Sequence, residues 1–163
     1  MKNKLLRFSL LSILVMLCGV FAQAANPEVT LDFSGQVNWN IPTSGTNKDL
    51  ATFSDGTNSI KLYSTTNYKM NNGYLILGKE NSYLEFPAFN FDVEKIEVVG
   101  TSGASESVKQ NIYVDDEAVS TETTGAKNVT NAYEIPSAYQ TAGTIYKLMV
   151  TSAYNTQISK IYI

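Results

Sequence analysis

The 163-residue chain contains no histidine, and its only cysteine (Cys18) and only arginine (Arg7) fall within the first 24 residues. Without imidazole the chain lacks the commonest general base and the commonest transition-metal ligand. A Ser-His-Asp triad and a Cys/His zinc site are therefore excluded. Positive charge is also scarce. From residue 25 onward nine lysines stand against fifteen acids, a net charge of −6, and those lysines are scattered singly. Phosphate backbones need clustered Lys and Arg, so nucleic acid is excluded as a partner, and an anionic membrane surface is disfavoured for the same reason. Long apolar runs are missing too. The longest, Phe8 to Phe21, has 14 residues, short of the roughly 20 that span a bilayer.

That run has a role of its own. Lys2, Lys4 and Arg7 precede it, Ser9, Ser12 and Gly19 are its only interruptions, and Ala22-Gln23-Ala24 comes next with small residues at the positions a signal peptidase reads. These are the three parts of a secretory signal peptide. The expectation is residues 1–24 as signal peptide and 25–163 as a single β-sandwich domain, secreted or periplasmic, with no membrane span after cleavage. Lipid anchoring through Cys18 is not expected, because Leu17 precedes it and Gly19-Val20-Phe21 continues the apolar run. Removal of the signal would leave no cysteine, so packing alone would stabilise the domain despite an oxidising destination.

Beyond the signal the sequence alternates with a period of two. Val29, Leu31 and Phe33 alternate with Thr30 and Asp32, and Val37, Trp39 and Ile41 alternate with Asn38 and Asn40, the pattern of half-buried strands. Ile60–Tyr63 comes after the turn Ser54-Asp55-Gly56, and Tyr74–Leu77 after Asn71-Asn72-Gly73, a strong hairpin signal because its central positions tolerate positive φ. Further strands are expected over Tyr83–Phe86, Val93–Val99, Asn111–Val114, Ala132–Ile135, Thr144–Thr151 and Ile158–Ile163, the last two joined as an antiparallel pair. Asp115-Asp116-Glu117 would turn a hairpin into Ala118–Glu122. About nine short strands with no helical periodicity, and spacings too short for βαβ crossovers, predict an all-β, antiparallel β-sandwich of jelly-roll-like plan.

Three stretches carry a family resemblance: Tyr83-Leu84-Glu85-Phe86-Pro87-Ala88-Phe89 followed by Val93–Val98, Asn111–Val114 with Ala118–Gly125, and Tyr146–Thr151 with Asn155–Ile161. The chain from Val29 to Ile163 resembles β-sandwich modules of secreted Bacteroidetes proteins, similar in plan to galactose-binding-like jelly rolls that often accompany hydrolases or surface lipoproteins. The resemblance implies the fold and a binding role. It is one of pattern and brings over no ligand and no binding residues.

Candidate chemistry is limited. Sugars present flat C–H faces, which an aromatic ring can meet while amides and carboxylates fix the hydroxyls. Trp39 with Asn40, and Tyr63, Tyr68 and Tyr74 near Asn67, Asn71 and Asn72, are the candidate ligand contacts. Against this, Trp39 runs in phase with Val37 and Ile41, which suits a core residue. Asp115, Asp116 and Glu117 could hold a structural Ca²⁺ by analogy with jelly-roll modules, although they also suit the solvated tip of a hairpin. Catalysis would need a carboxylate pair such as Glu80/Glu85 or Glu94/Glu97, which nothing distinguishes from surface acids. The expected function is thus a non-catalytic module that binds a glycan or another extracellular ligand. A structural or adhesin-like protein, docking a cell-surface protein through its last strand, is the alternative.

Overall fold

The computed structural model describes residues 28–124 and 127–163; residues 1–24, expected to be a signal peptide, lie outside the described residues. Thirteen strands fall in chain order: β1 (Thr30–Asp32), β2 (Ala51–Ser54), β3 (Ser59–Tyr63), β4 (Tyr68–Met70), β5 (Leu75–Leu77), β6 (Tyr83–Glu85), β7 (Lys95–Gly100), β8 (Lys109–Val114), β9 (Glu117–Ala118), β10 (Thr123–Thr124), β11 (Thr130–Glu134), β12 (Lys147–Val150) and β13 (Thr156–Tyr162), with one 3₁₀ turn at Ser137–Tyr139. They form two antiparallel sheets. One runs β11-β7-β13-β5-β4 with β1 also on β13, and the other runs β10-β8-β12-β6-β3-β2 with β9 also on β8. From β5 to β8 successive strands alternate between the sheets, as do β11, β12 and β13, and this crossing makes the sandwich jelly-roll-like.

Alternation explains the core. Leu62, Leu84, Ile112 and Leu148 stand opposite one another across four strands of the seven-stranded sheet, all fully buried. They meet Leu31, Leu75, Leu77, Ile96, Ile158 and Ile161 of the six-stranded sheet in a single apolar cluster. Each fully buried Leu or Ile of this kind stabilises the fold by about 2 kcal/mol before entropy is counted. The Asn71–Tyr74 hairpin forms as its residues require: Asn72 and Gly73 have φ of 43° and 91°, and the Asn71 and Tyr74 backbones exchange both hydrogen bonds. The Ser54–Asn58 turn is fastened by the Asp55 carboxylate, which accepts from the Thr57 and Asn58 amides at 2.8 and 2.6 Å. Burial raises the Asp55 pKa, but these hydrogen bonds outweigh it and hold the carboxyl below its usual range.

Three expectations are corrected. Val37–Ile41 is not a strand: the Asn38 side chain accepts from the Asn40 amide, and Asn40 turns to φ 56°, so the segment bends while still burying Trp39 and Ile41. β12 and β13 are not partners, because the connection between them crosses from one sheet to the other. Nor does β13 offer a free edge. It lies inside its sheet, with β7 on one side and β5 and β1 on the other.

Candidate functional site

Strand register orders the outer face of the seven-stranded sheet into rows. Thr52, Lys61, Glu85, Lys147 and Tyr113 are successive cross-strand partners, and so are Tyr63, Tyr83, Met149 and Asn111. Because Leu62, Leu84, Leu148 and Ile112 point into the core, these intervening residues point outward, although Asn111 is buried there with its Oδ1 accepting from the Ser120 hydroxyl.

The aromatic centre of the face is Tyr63 against Tyr83. Their centroids are 5.3 Å apart with 32° between the planes, and both rings are half-buried. Lys147 Nζ lies 5.2 Å from the Tyr83 centroid, from the strand on the other side of β6, so Tyr83 is held between a ring and a cation. The Lys147 ammonium also reaches Asp116 Oδ1 at 3.1 Å. The Asp116 carboxylate is the main reason the Lys147 pKa is raised, with smaller contributions from Tyr83 and Glu85. Beside the rings, Lys61 Nζ donates to Glu85 Oε1 at 2.7 Å. Past this pair the face opens into a groove of 220 Å³ bounded by Thr52, Lys61, Glu85, Pro87, Ala88 and Ile145. Ile145 is among the few large apolar side chains left exposed.

The residues singled out in the sequence are dispersed by the fold. Trp39 is a core residue rather than a platform: it is 1% exposed, stacks on Phe33 at 5.2 Å, and donates from Nε1 to the Asp32 carbonyl at 2.8 Å. Tyr68 is also corrected. It points inward from β4 at 4% exposure, its ring edge on Phe53, and its hydroxyl donates to the Asp49 carbonyl. Tyr74 closes the β4–β5 turn, where its hydroxyl accepts from Asn71 Nδ2 at 2.6 Å. Asn40 is exposed in the bend after Trp39 and belongs to neither sheet. Of the candidate aromatics only Tyr63 lies on the ordered face, and Tyr83, Lys147, Lys61, Glu85 and Tyr113 join it.

The acidic triplet resolves into a hairpin tip. Asp115 and Asp116 have φ of 47° and 66°, the two-residue turn between Val114 and its partner Glu117. The carboxylates then diverge, Asp116 to Lys147 and Glu117 to the Tyr139 hydroxyl. Among the described residues no three metal-ligating side chains gather, and Asp115, Asp116 and Glu117 take the hairpin-tip arrangement, the alternative to Ca²⁺. Of the acids weighed for hydrolysis, Glu85 pairs with Lys61 and Glu97 with Lys95 at 2.9 Å.

No protein-family model matches the chain, and no curated protein matches it either. Solved structures similar to it include a low affinity xylan binding module, CBM86, from the gut symbiont Roseburia intestinalis (12% identity over 71% of this chain and 92% of that one, TM-score 0.44). The C-terminal CBM6 of LamC, a marine laminarinase from Zobellia galactanivorans, is 17% identical over 83% of this chain and 98% of its own, with a TM-score of 0.39. CBM1 of BiXyn10A is 9% identical over 85% and 97%, also with a TM-score of 0.39. Likeness at this level assigns no ligand, and the chemistry of the face rests on its own residues.

Proposed function

We propose that the protein is a non-catalytic carbohydrate-binding module, and that its binding surface is the outer face of the seven-stranded sheet. The observation that carries this reading is the Tyr63–Tyr83 ring pair flanked on one face by the Lys61–Glu85 pair and Lys147. A sugar ring has apolar C–H faces and hydroxyls that both donate and accept. Half-buried tyrosines supply apolar contact, an ammonium supplies donors and a carboxylate supplies acceptors. The shallow groove suits an extended ligand better than an enclosed small molecule. The charge before Phe8, the apolar run and Ala22-Gln23-Ala24 support secretion beyond the inner membrane, where free glycans are met.

A glycan array with the purified protein tests the binding role. Binding to at least one glycan, lost in Tyr63→Ala and Tyr83→Ala but kept in Asn40→Ala, supports this face. Binding that survives both tyrosine changes refutes it. N-terminal sequencing of protein recovered from expressing cells tests the address, with residue 25 as the expected first residue.

A further inference from the structure

From the pairing of charges on this face we infer that the ligand is a neutral oligosaccharide about three sugars long, lying along β3 and β6 from the tyrosine pair into the groove. This deepens the proposed carbohydrate role and rests on it.

The first support is charge. Three lysines project from the outer face of the seven-stranded sheet, and each meets a carboxylate. Lys61 pairs with Glu85 at 2.7 Å, Lys147 with Asp116 at 3.1 Å, and Lys109 with Glu122 at 3.2 Å. A uronate or sulfate ester would have to break one of these pairs to find a cation, and would then sit beside the released carboxylate. A neutral sugar hydroxyl can insert with the pairs intact, accepting from the ammonium and donating to the carboxylate.

The second support is length. Along β3 the outward positions are Tyr63, Lys61 and Ser59, and along β6 they are Tyr83 and Glu85, with Pro87 just beyond. The groove begins at Lys61 and Glu85, the row next to the tyrosine pair on the outer face, and runs on to Ser59 and Pro87. From Tyr63 to Ser59 is four residues, about 14 Å of strand, which matches about three linked pyranose rings. A single sugar would fill the tyrosine end and leave the groove empty. Ala88 and Ile145 give the far end an apolar wall.

Titration calorimetry on the purified protein tests this, with neutral oligosaccharides of one to five units drawn from the polymers positive on the array. A polyuronate and a sulfated polysaccharide serve as charged probes, each at low and high NaCl. The expected result is affinity that rises at least about tenfold from one unit to three and then levels off. It does not depend on salt, and the charged polymers do not bind. Ala88→Trp, at an exposed position, fills the groove and should abolish the gain from the third unit, with the melting temperature reporting that the variant is folded. Affinity independent of length, an Ala88→Trp variant that binds trisaccharide normally, or salt-sensitive preference for a charged polymer each overturns the inference while leaving carbohydrate binding standing. No binding to any glycan overturns the carbohydrate reading and this inference with it.

Discussion

Replacing Trp39 separates packing from binding. The indole is 1% exposed, stacks on Phe33, and donates its hydrogen bond to the Asp32 carbonyl. Truncation to alanine removes the whole ring from a site that collapses only in part, which costs about 4 kcal/mol for residues of this size. Trp39→Phe keeps a ring against Phe33 but leaves the Asp32 carbonyl without that donor, and the expected loss is about 2 kcal/mol. A domain of this size is stable by about 5 to 15 kcal/mol, so both variants should fold at low temperature. Trp39 is the chain's only tryptophan, so the variants lose their fluorescence signal. Urea unfolding must therefore be followed by far-ultraviolet circular dichroism in all three proteins. Glycan affinity per folded molecule should be unchanged in Trp39→Phe. Unchanged stability together with lost binding would refute the core assignment and return Trp39 to the site.

Tyr83→Ala should lower glycan affinity by about tenfold and change stability by only about 1 kcal/mol, since the ring is half-buried on the sheet surface; calorimetry and urea unfolding read the two effects. Gly73→Ala should destabilise by about 1 to 3 kcal/mol, because φ there is +91° and the added Cβ would lie 2.8 Å from the Ser34 carbonyl oxygen; thermal unfolding measures it. Burial pushes the Tyr133 hydroxyl up to about 12 from 10.0, with its hydrogen bond to the Thr123 hydroxyl pulling the other way. The neutral form is the one the fold favours, so this contribution is complete below pH 10 and is lost as pH rises toward 12. Two units are worth about 3 kcal/mol at most, and Tyr133→Phe should remove that part of the alkaline destabilisation seen in urea midpoints.

Local chemistry was legible in the chain wherever the relevant atoms are close in sequence. Asn71-Asn72-Gly73 specifies its own turn, and Ile60-Lys61-Leu62-Tyr63 tells its two faces apart by alternation alone. Val37–Ile41 shows the limit, since period two fixes which residues are buried without fixing that they lie in a strand. The tyrosine pair was harder, because Tyr63 and Tyr83 meet through the register of β3 on β6, and nothing near either residue states that register. The alternation Tyr83-Leu84-Glu85 beside Lys147-Leu148-Met149 was the available signal: each triplet buries its leucine and so presents its flanking residues together. The acidic triplet was ambiguous for a related reason. Three adjacent acids share a hairpin tip, yet the Asp116 carboxylate reaches Lys147 and the Glu117 carboxylate the Tyr139 hydroxyl, partners that adjacency in sequence does not state.

The position of β13 has a consequence for how the molecule is made. Residues 156–162 supply the pairing edges for β1, β5 and β7 at once. Until this segment emerges, β1 has no partner, and the β4–β5 and β7–β11 pairs each stand with one edge open. The sheet cannot be completed stepwise behind the ribosome. Its closure joins β1 to β13 across nearly the whole described chain, a late and non-local event. A chain built in this order leaves the six-stranded sheet unfinished until β13 is made, although every strand of the seven-stranded sheet is already present by then.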